Sequence, residues 1–154
     1  MTRAVNTALA GSGGVLQVAQ SALFDGVSTS STSFQYSSTT PTFTPSSTSS
    51  SILVLCAAAI FIDTDSDSQG LNNGEATFQY QVGGTGGAWT TMGTFAVPGR
   101  GGNYTFTNAV FLISPATTSA VYFRVGVRKT EGARVIQINS SWGTDRHFFL
   151  EIAG

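Results

Sequence analysis

Residues Thr42–Ile62 of this 154-residue chain read TFTPSSTSSSILVLCAAAIFI and carry its clearest signal of fold. The second half of this segment, Ile52–Ile62, is the longest apolar run in the sequence, and polar turn-forming residues lie on both sides of it. A transmembrane helix needs about 20 apolar residues, so this run is too short to cross a bilayer. A short run that is apolar on both faces predicts a central strand covered on each side. Ala57–Ala59 leave a buried helix as the alternative.

Composition and charge limit the class of protein and its partners. Charged residues make up 10% of the chain, against about 25% in an ordinary domain. The apolar fraction of 41% and the aromatic fraction of 11% are enough for a single domain with a real core. A formal net charge of −1, with scattered Lys and Arg residues, gives no basic surface for nucleic acid. We therefore expect neither a nucleic-acid nor a membrane partner.

The single cysteine and the N-terminal sequence indicate the folding compartment. Cys56 lies within the apolar run, where we expect a small buried hydrophobic side chain and no intrachain disulfide. The first ten residues lack the continuous apolar core of a secretion signal, because Asn6 and Thr7 interrupt it. The sequence therefore predicts folding in a cytoplasm.

The first fourteen residues differ in composition from the rest. They are small and polar and end in the glycine-rich segment GSGG at 11–14. This pattern predicts an N-terminal arm over 1–14 and a folded domain over 15–154. The arm's candidates for contact with a partner are Arg3, Val5 and Leu9.

Period-two alternation predicts strands on both sides of the central run. The Ser/Thr-rich segment Ser28–Ser51, in which 18 of 24 residues are Ser or Thr, carries evenly spaced aromatic residues and so predicts two short strands rather than a linker. Besides Ile52–Ile62, the predicted strands are Val15–Phe24, Thr32–Ser37, Pro41–Thr44, Glu75–Val82, Ala88–Met92, Thr94–Val97, Tyr104–Ile113 with a bulge at Asn108, a strand from Val121, Val135–Ile138 and Arg146–Ala153. Eight to ten strands and no clear helix predict an all-β, jelly-roll-like antiparallel β-sandwich with a short N-terminal arm.

One acidic loop resembles a calcium site without matching it. Asp63, Asp65 and Asp67 alternate as carboxylate ligands of a hard cation would. The glycine that such a loop needs comes late, at Gly70, and Glu75 lies one place beyond the bidentate position. A solvated acidic loop is the better interpretation, so we expect no metal and no cofactor.

Catalytic patterns are weak. His147 is the only histidine, and Asp145 is its nearest carboxylate, but no nucleophile elbow is present. One histidine and one buried cysteine make a poor metal site. The glycine runs 83–87 and 99–102 lack the residues that follow a phosphate-binding loop. The sequence therefore predicts a protein that is not an enzyme.

The last strand supplies the remaining site candidates. Its two faces carry His147, Phe149 and Glu151 on one side and Phe148, Leu150 and Ile152 on the other. If the second set faces the core, Phe149 is exposed in a monomer. We therefore expect Phe149, with His147 and Glu151 beside it, to contact another subunit.

Three segments carry a resemblance to a known family. They are TFTPSSTSSSILVL at 42–55, GGVLQV at 13–18 and FLEIAG at 149–154. The sequence resembles small β-domains of tailed bacteriophages, described as tail-fibre-like or virion structural proteins, with relatives in cyanophages and marine phages. The resemblance covers about residues 13–154. Relatives often have Lys where this chain has Ser51, and no catalytic residue carries over.

The resemblance implies a virion structural protein that is assembled in the host cytoplasm. More narrowly, it implies a homotrimeric capsid cement or decoration protein on the outer surface of the head, with its arm gripping the major capsid protein. The alternative is a tail-fibre or receptor-binding tip that contacts a host-surface glycan through Trp89, Tyr104 or Trp142. We favour the capsid role because the sequence has no shaft, no heptads and only a short arm.

The incomplete acidic loop generates a first testable prediction. We expect thermal unfolding in the presence of a chelator to agree with unfolding in excess calcium, because Asp63, Asp65 and Asp67 lack the remaining ligands of a calcium loop. Differential scanning calorimetry measures this directly. A calcium-induced increase of many degrees in the melting temperature would show the loop to be a real site.

Overall fold

The chain forms a two-sheet β-structure in a computed structural model that describes residues 14–21, 24, 26–38, 40–63, 72–84, 86–99, 104–131, 135–138 and 146–154. The strands among these residues are β1 (Val15–Gln20), β2 (Val27–Thr29), β3 (Gln35–Tyr36), β4 (Thr42–Phe43), β5 (Ser51–Asp63), β6 (Asn72–Val82), β7 (Thr90–Gly99), β8 (Tyr104–Ile113), β9 (Val121–Glu131), β10 (Val135–Ile138) and β11 (Arg146–Ile152). No helix long and apolar enough to span a membrane occurs in the described part of the chain.

Sheet A is built around β5. Along one edge β5 pairs with β8, and along the other it pairs first with β11 and then with β10. Strand β1 pairs with β11, and β2 pairs with β10. All these pairs are antiparallel, so the six strands fill four positions: β1/β2, β10/β11, β5 and β8.

Sheet B also has four positions. Its order is β3/β4, β9, β6 and β7, since β3 and β4 both pair with β9. Two strands that share one sheet position (β1/β2, β3/β4 and β10/β11) can be counted as one interrupted strand, which gives eight strands in all. Numbered along the chain, these eight have the order 1-8-3-6 in sheet A and 2-7-4-5 in sheet B. This is the strand order of an eight-stranded jelly roll, with two antiparallel sheets linked by Greek-key connections. The predicted fold class is confirmed.

The core lies between the two sheets. The even-numbered residues of β5 from Ile52 to Ile62 point inward and are buried, as are Val121, Phe123, Val125 and Val127 of β9. Phe149 stacks on Phe123 with ring centroids 4.5 Å apart and contacts Phe43 at 5.7 Å. Strand β5 is continuous through its three alanines, which excludes the helical alternative for this run. Cys56 is buried, as predicted.

Several strand details differ from the sequence prediction. Strand β2 was not predicted, and β1 ends at Gln20 instead of Phe24. The two strands expected over Ala88–Val97 are one strand, β7, whose register with β6 shifts so that Met92 is the extra residue of a bulge. The bulge predicted at Asn108 is wrong, because Asn108 pairs in register with Ala57. Its side chain is exposed on the outer face, so a polar residue there leaves the ladder intact.

The orientation of the last strand is the reverse of the predicted one. Phe149, His147 and Glu151 are 1%, 0% and 0% exposed, whereas Phe148 and Leu150 lie on the outer face and are only half-buried. The predicted exposure of Phe149 is therefore wrong, and the interface assignment of these three residues loses its basis. Phe149 faces inward because Phe43 and Phe123 form its packing site.

We expect Phe149→Ala to lower the free energy of unfolding by about 3–5 kcal/mol, because it removes a fully buried ring from the core. Urea unfolding measures the loss. The matched control is Tyr122→Ala on β9, which removes a half-buried ring from the outer face of sheet B and should cost much less. Equal losses for the two variants would contradict the observed orientation of β11.

Candidate functional site: an apolar sheet face

The outer face of sheet A carries two rows of side chains that cross all four strand positions. The register places in one row Val18, Leu150, Leu53 and Leu112, and in the next row Gln20, Phe148, Leu55 and Val110. We call the apolar members of these rows, together with Ala57, the apolar face: Val18, Leu53, Leu55, Ala57, Val110, Leu112, Phe148 and Leu150. This face is the outward side of the same strands that build the core.

Exposure is greatest at one side of the apolar face. Val110 and Leu112, both on the edge strand β8, are 65% and 64% exposed, and the other members are half-buried. A shallow depression of about 150 Å³ lies between Phe148, Ala57 and Val110. Contiguous exposed aliphatic side chains of this size are typical of interaction surfaces.

The rim of the apolar face is polar. At one end the hydroxyl oxygens of Ser51 and Ser114 lie 2.8 Å apart in a hydrogen bond. At the other end Gln20 and Asn108 are exposed. The two rows themselves carry no charge, and the register places Arg146 opposite Ala57, in the row beyond Phe148. Docking over the two rows alone would therefore require no desolvation of a charged group.

The outer face of sheet B is the opposite in character. Arg128 forms a salt bridge of 2.6 Å with Glu75, and Arg124 donates a hydrogen bond to the Gln79 amide oxygen. The Arg124 guanidinium lies between two rings, 3.7 Å from the centroid of Tyr36 and 4.0 Å from that of Trp89. Arg128 and Glu75 pair with each other, and the Arg124 Nε–H is bonded to Gln79, so this face has no comparable requirement for a partner.

Glu151 is a buried structural carboxylate. It accepts hydrogen bonds from the backbone N–H and hydroxyl of Ser46, at 2.7 and 2.8 Å, and from the Gln17 side-chain amide. Burial acts to raise the pKa of Glu151, but the hydrogen bonds from the serine loop and Gln17 outweigh it, so the pKa lies below its usual value. The carboxylate thus fixes the loop before β5 to the last strand.

His147 is buried without a polar partner. Its ring lies 4.2 Å from that of Phe24, and neither ring nitrogen has a hydrogen-bond partner among the described residues. Burial lowers the pKa of His147 to about 4. In the register it is opposite Cys56, whose pKa burial raises to about 12. A neutral imidazole and a neutral thiol in the core have no access to a substrate.

The other sequence candidates fall at the edge of the description or beyond it. Asp63 is the last residue of β5, and Asp65 and Asp67 lie outside the described residues, as do Arg3, Val5, Leu9 and Trp142. The described side chains contain no group of three or more His, Cys, Asp or Glu residues that could hold a metal ion.

The apolar face was not predicted from the sequence, although the signal for it was present. A strand that is apolar on both faces needs something to cover each face. The described residues of sheet B cover only the inner face of β5.

Comparison with known proteins gives fold likeness only. No family model matches the chain, and no curated protein matches it. A chain of the T13 IBDV viral particle is similar in structure, with a TM-score of 0.45 and 12% identity over 88% of this chain and 35% of that one. The Gt strain of infectious bursal disease virus (TM-score 0.40, 16% identity) and the VP2 subviral particle of that virus (0.40, 12%) are each matched over 88% of this chain and 37% of theirs. The chain spans little more than a third of the length of these virus-particle chains.

The buried imidazole generates a prediction of pH-dependent stability. Between about pH 4 and 6.5 the unfolded chain binds a proton at His147 that the folded chain does not, so stability falls as pH falls through this window. The full effect is about 3 kcal/mol. We expect His147→Leu to flatten the dependence in urea titrations between these pH values. The control Gln35→Leu, at an exposed position, should keep the wild-type slope; an unchanged slope in His147→Leu would contradict the prediction.

Proposed function

We propose that this chain is a structural subunit of a virus particle. Its narrower role is that of a homotrimeric decoration protein on the outer surface of a tailed-phage head, bound to the major capsid protein. The observation that carries the proposal is the apolar face, with Val110 and Leu112 about two-thirds exposed. A surface of this kind is typical of a protein that packs against other subunits, and jelly rolls are common among capsid proteins.

The chemistry of the described polar groups supports a structural role over a catalytic one. Glu151 is occupied by the serine loop, and Arg124 is held between two rings and Gln79. His147 and Cys56 are buried in neutral forms. The resemblance of residues 13–18, 42–55 and 149–154 to tailed-phage β-domains favours the phage head over other particles.

A tail-fibre tip that binds a host glycan is the second candidate. Trp89 favours it, because a half-buried aromatic ring beside the Arg124 guanidinium offers an apolar surface and hydrogen-bond donors together. In this role the partner is a sugar on the host surface, and the bound surface is sheet B instead of sheet A.

The two roles differ in where the protein is located on the particle. Immunogold electron microscopy of virions, with an antibody against this chain, should label the head shell evenly. Labelling confined to the tail tip would transfer the assignment to the tail-fibre role. Purified virions that contain none of the protein would overturn both.

The arm gives a second test of the decoration role. We expect deletion of residues 2–12 to leave the folded trimer intact and to abolish its attachment to undecorated heads, since the arm is proposed to supply the grip through Arg3, Val5 and Leu9. Co-sedimentation with heads measures attachment. A truncated trimer that still decorates heads would contradict the role of the arm.

A further inference from the structure

We propose that three copies of this chain pack with their apolar faces toward a common threefold axis, parallel to the strands of sheet A, so that β8 of one copy lies beside β1 of the next. The inference rests on the proposed structural role and specifies the surface that forms the trimer. In this arrangement the apolar face of each copy is covered by the apolar faces of two further copies.

The charge distribution makes the apolar face complementary to itself. The two apolar rows carry no charge, and Arg146 lies in the row beyond them, whereas Glu75, Arg124 and Arg128 lie on sheet B. Identical surfaces that carry charge repel each other, and contact through the two uncharged rows avoids this. The arrangement also turns the charged sheet outward, toward solvent.

The width of the face fits a threefold prism. Four strand positions spaced by about 4.8 Å make a face about 19 Å wide. Three faces of this width form a triangular prism whose axis lies about 5.5 Å from each sheet, close to half of the roughly 10 Å between packed sheets. The side chains of the three apolar faces would therefore fill the space around the axis.

The location of the most exposed residues favours three copies over two. Val110 and Leu112 lie on β8, at the side of the face, and β8 pairs only with β5 among the described strands. In a face-to-face dimer the sides of the sheet lie at the rim of the contact. In a prism the sides of neighbouring faces meet at the corners, in a head-to-tail contact that closes as a ring.

The register identifies the residues that meet at each corner. Leu112 and Val18 belong to the same cross-strand row, at opposite sides of the sheet. Rotation about an axis parallel to the strands keeps their height along that axis. Leu112 of one copy therefore lies beside Val18 of the next, and Val110 lies beside Gln20.

Cysteine pairing tests the corner contact. The double variant Val18→Cys with Leu112→Cys should give a covalent trimer on oxidation, seen on non-reducing gels, whereas neither single variant should. Cys56 does not compete, because it is buried in the core and burial raises its pKa to about 12. A double variant that stays uncrosslinked, or that stops at a covalent dimer, overturns the threefold arrangement.

A charge on the apolar face tests its role independently of disulfide geometry. Sedimentation should give the wild type a mass of about 48 kDa, three times the 16.0 kDa of one chain, and Leu112→Lys the mass of one chain. Ala96→Lys is the matched control: it places the same charge at an exposed apolar position on the edge strand of sheet B and should remain trimeric. Circular dichroism confirms that both variants fold. A monomeric wild type, or a trimeric Leu112→Lys, overturns the proposal.

Other partners for the apolar face, such as the N-terminal arm or the capsid shell, would give different results. A monomeric wild type that aggregates when residues 2–12 are deleted would assign the face to the arm and overturn the trimer. A monomeric wild type that binds heads, together with a Leu112→Lys variant that does not, would assign the face to contact with the shell. In that case the virion role stands and the threefold inference fails. A trimer sensitive to Leu112→Lys but absent from virions keeps the inference and overturns the proposed function.

Discussion

The pairing of β5 on both of its edges organises sheet A. It bonds β8 along one edge and β11 and β10 along the other, so three distant segments of the chain take their places from this one strand. Its inward side chains are almost completely buried. Because a strand this apolar is unfavourable at an edge or in solvent, it sets both the centre of sheet A and the position of sheet B.

A buried carboxylate completes this arrangement at one end of the strand. Glu151 accepts hydrogen bonds from Ser46, Ser47 and Gln17, which ties the loop before β5 to the first and last strands. Removing the donors would leave a desolvated negative charge, which is costly. The serine-rich segment therefore folds as part of the sandwich, and its serines act as donors to one residue more than a hundred positions away.

The sequence was sufficient to predict the fold class and every strand except the short β2, since alternation and turn residues are local signals. It was insufficient to orient β11, because period two defines two faces and leaves the choice between them to distant partners. Phe123, Phe43 and the serine loop make that choice, placing Phe149 and Glu151 inside. The same limit applies to bulges. One was predicted at Asn108, where none occurs, and one occurs at Met92, where none was predicted, because the register of a ladder depends on both strands.

The two sheets show how unusual the apolar face is for an isolated domain. On sheet B the outward positions of β6 are Thr77, Gln79 and Gln81, which bond to neighbouring strands and turns. The corresponding outward positions of β5 are Leu53, Leu55 and Ala57. One chain thus contains both solutions for an outer face, a hydrogen-bonded polar one and an apolar one. Since the core requires only the inner half of β5 to be apolar, its outer half indicates a second packing surface, and that surface is the strongest functional signal in the molecule.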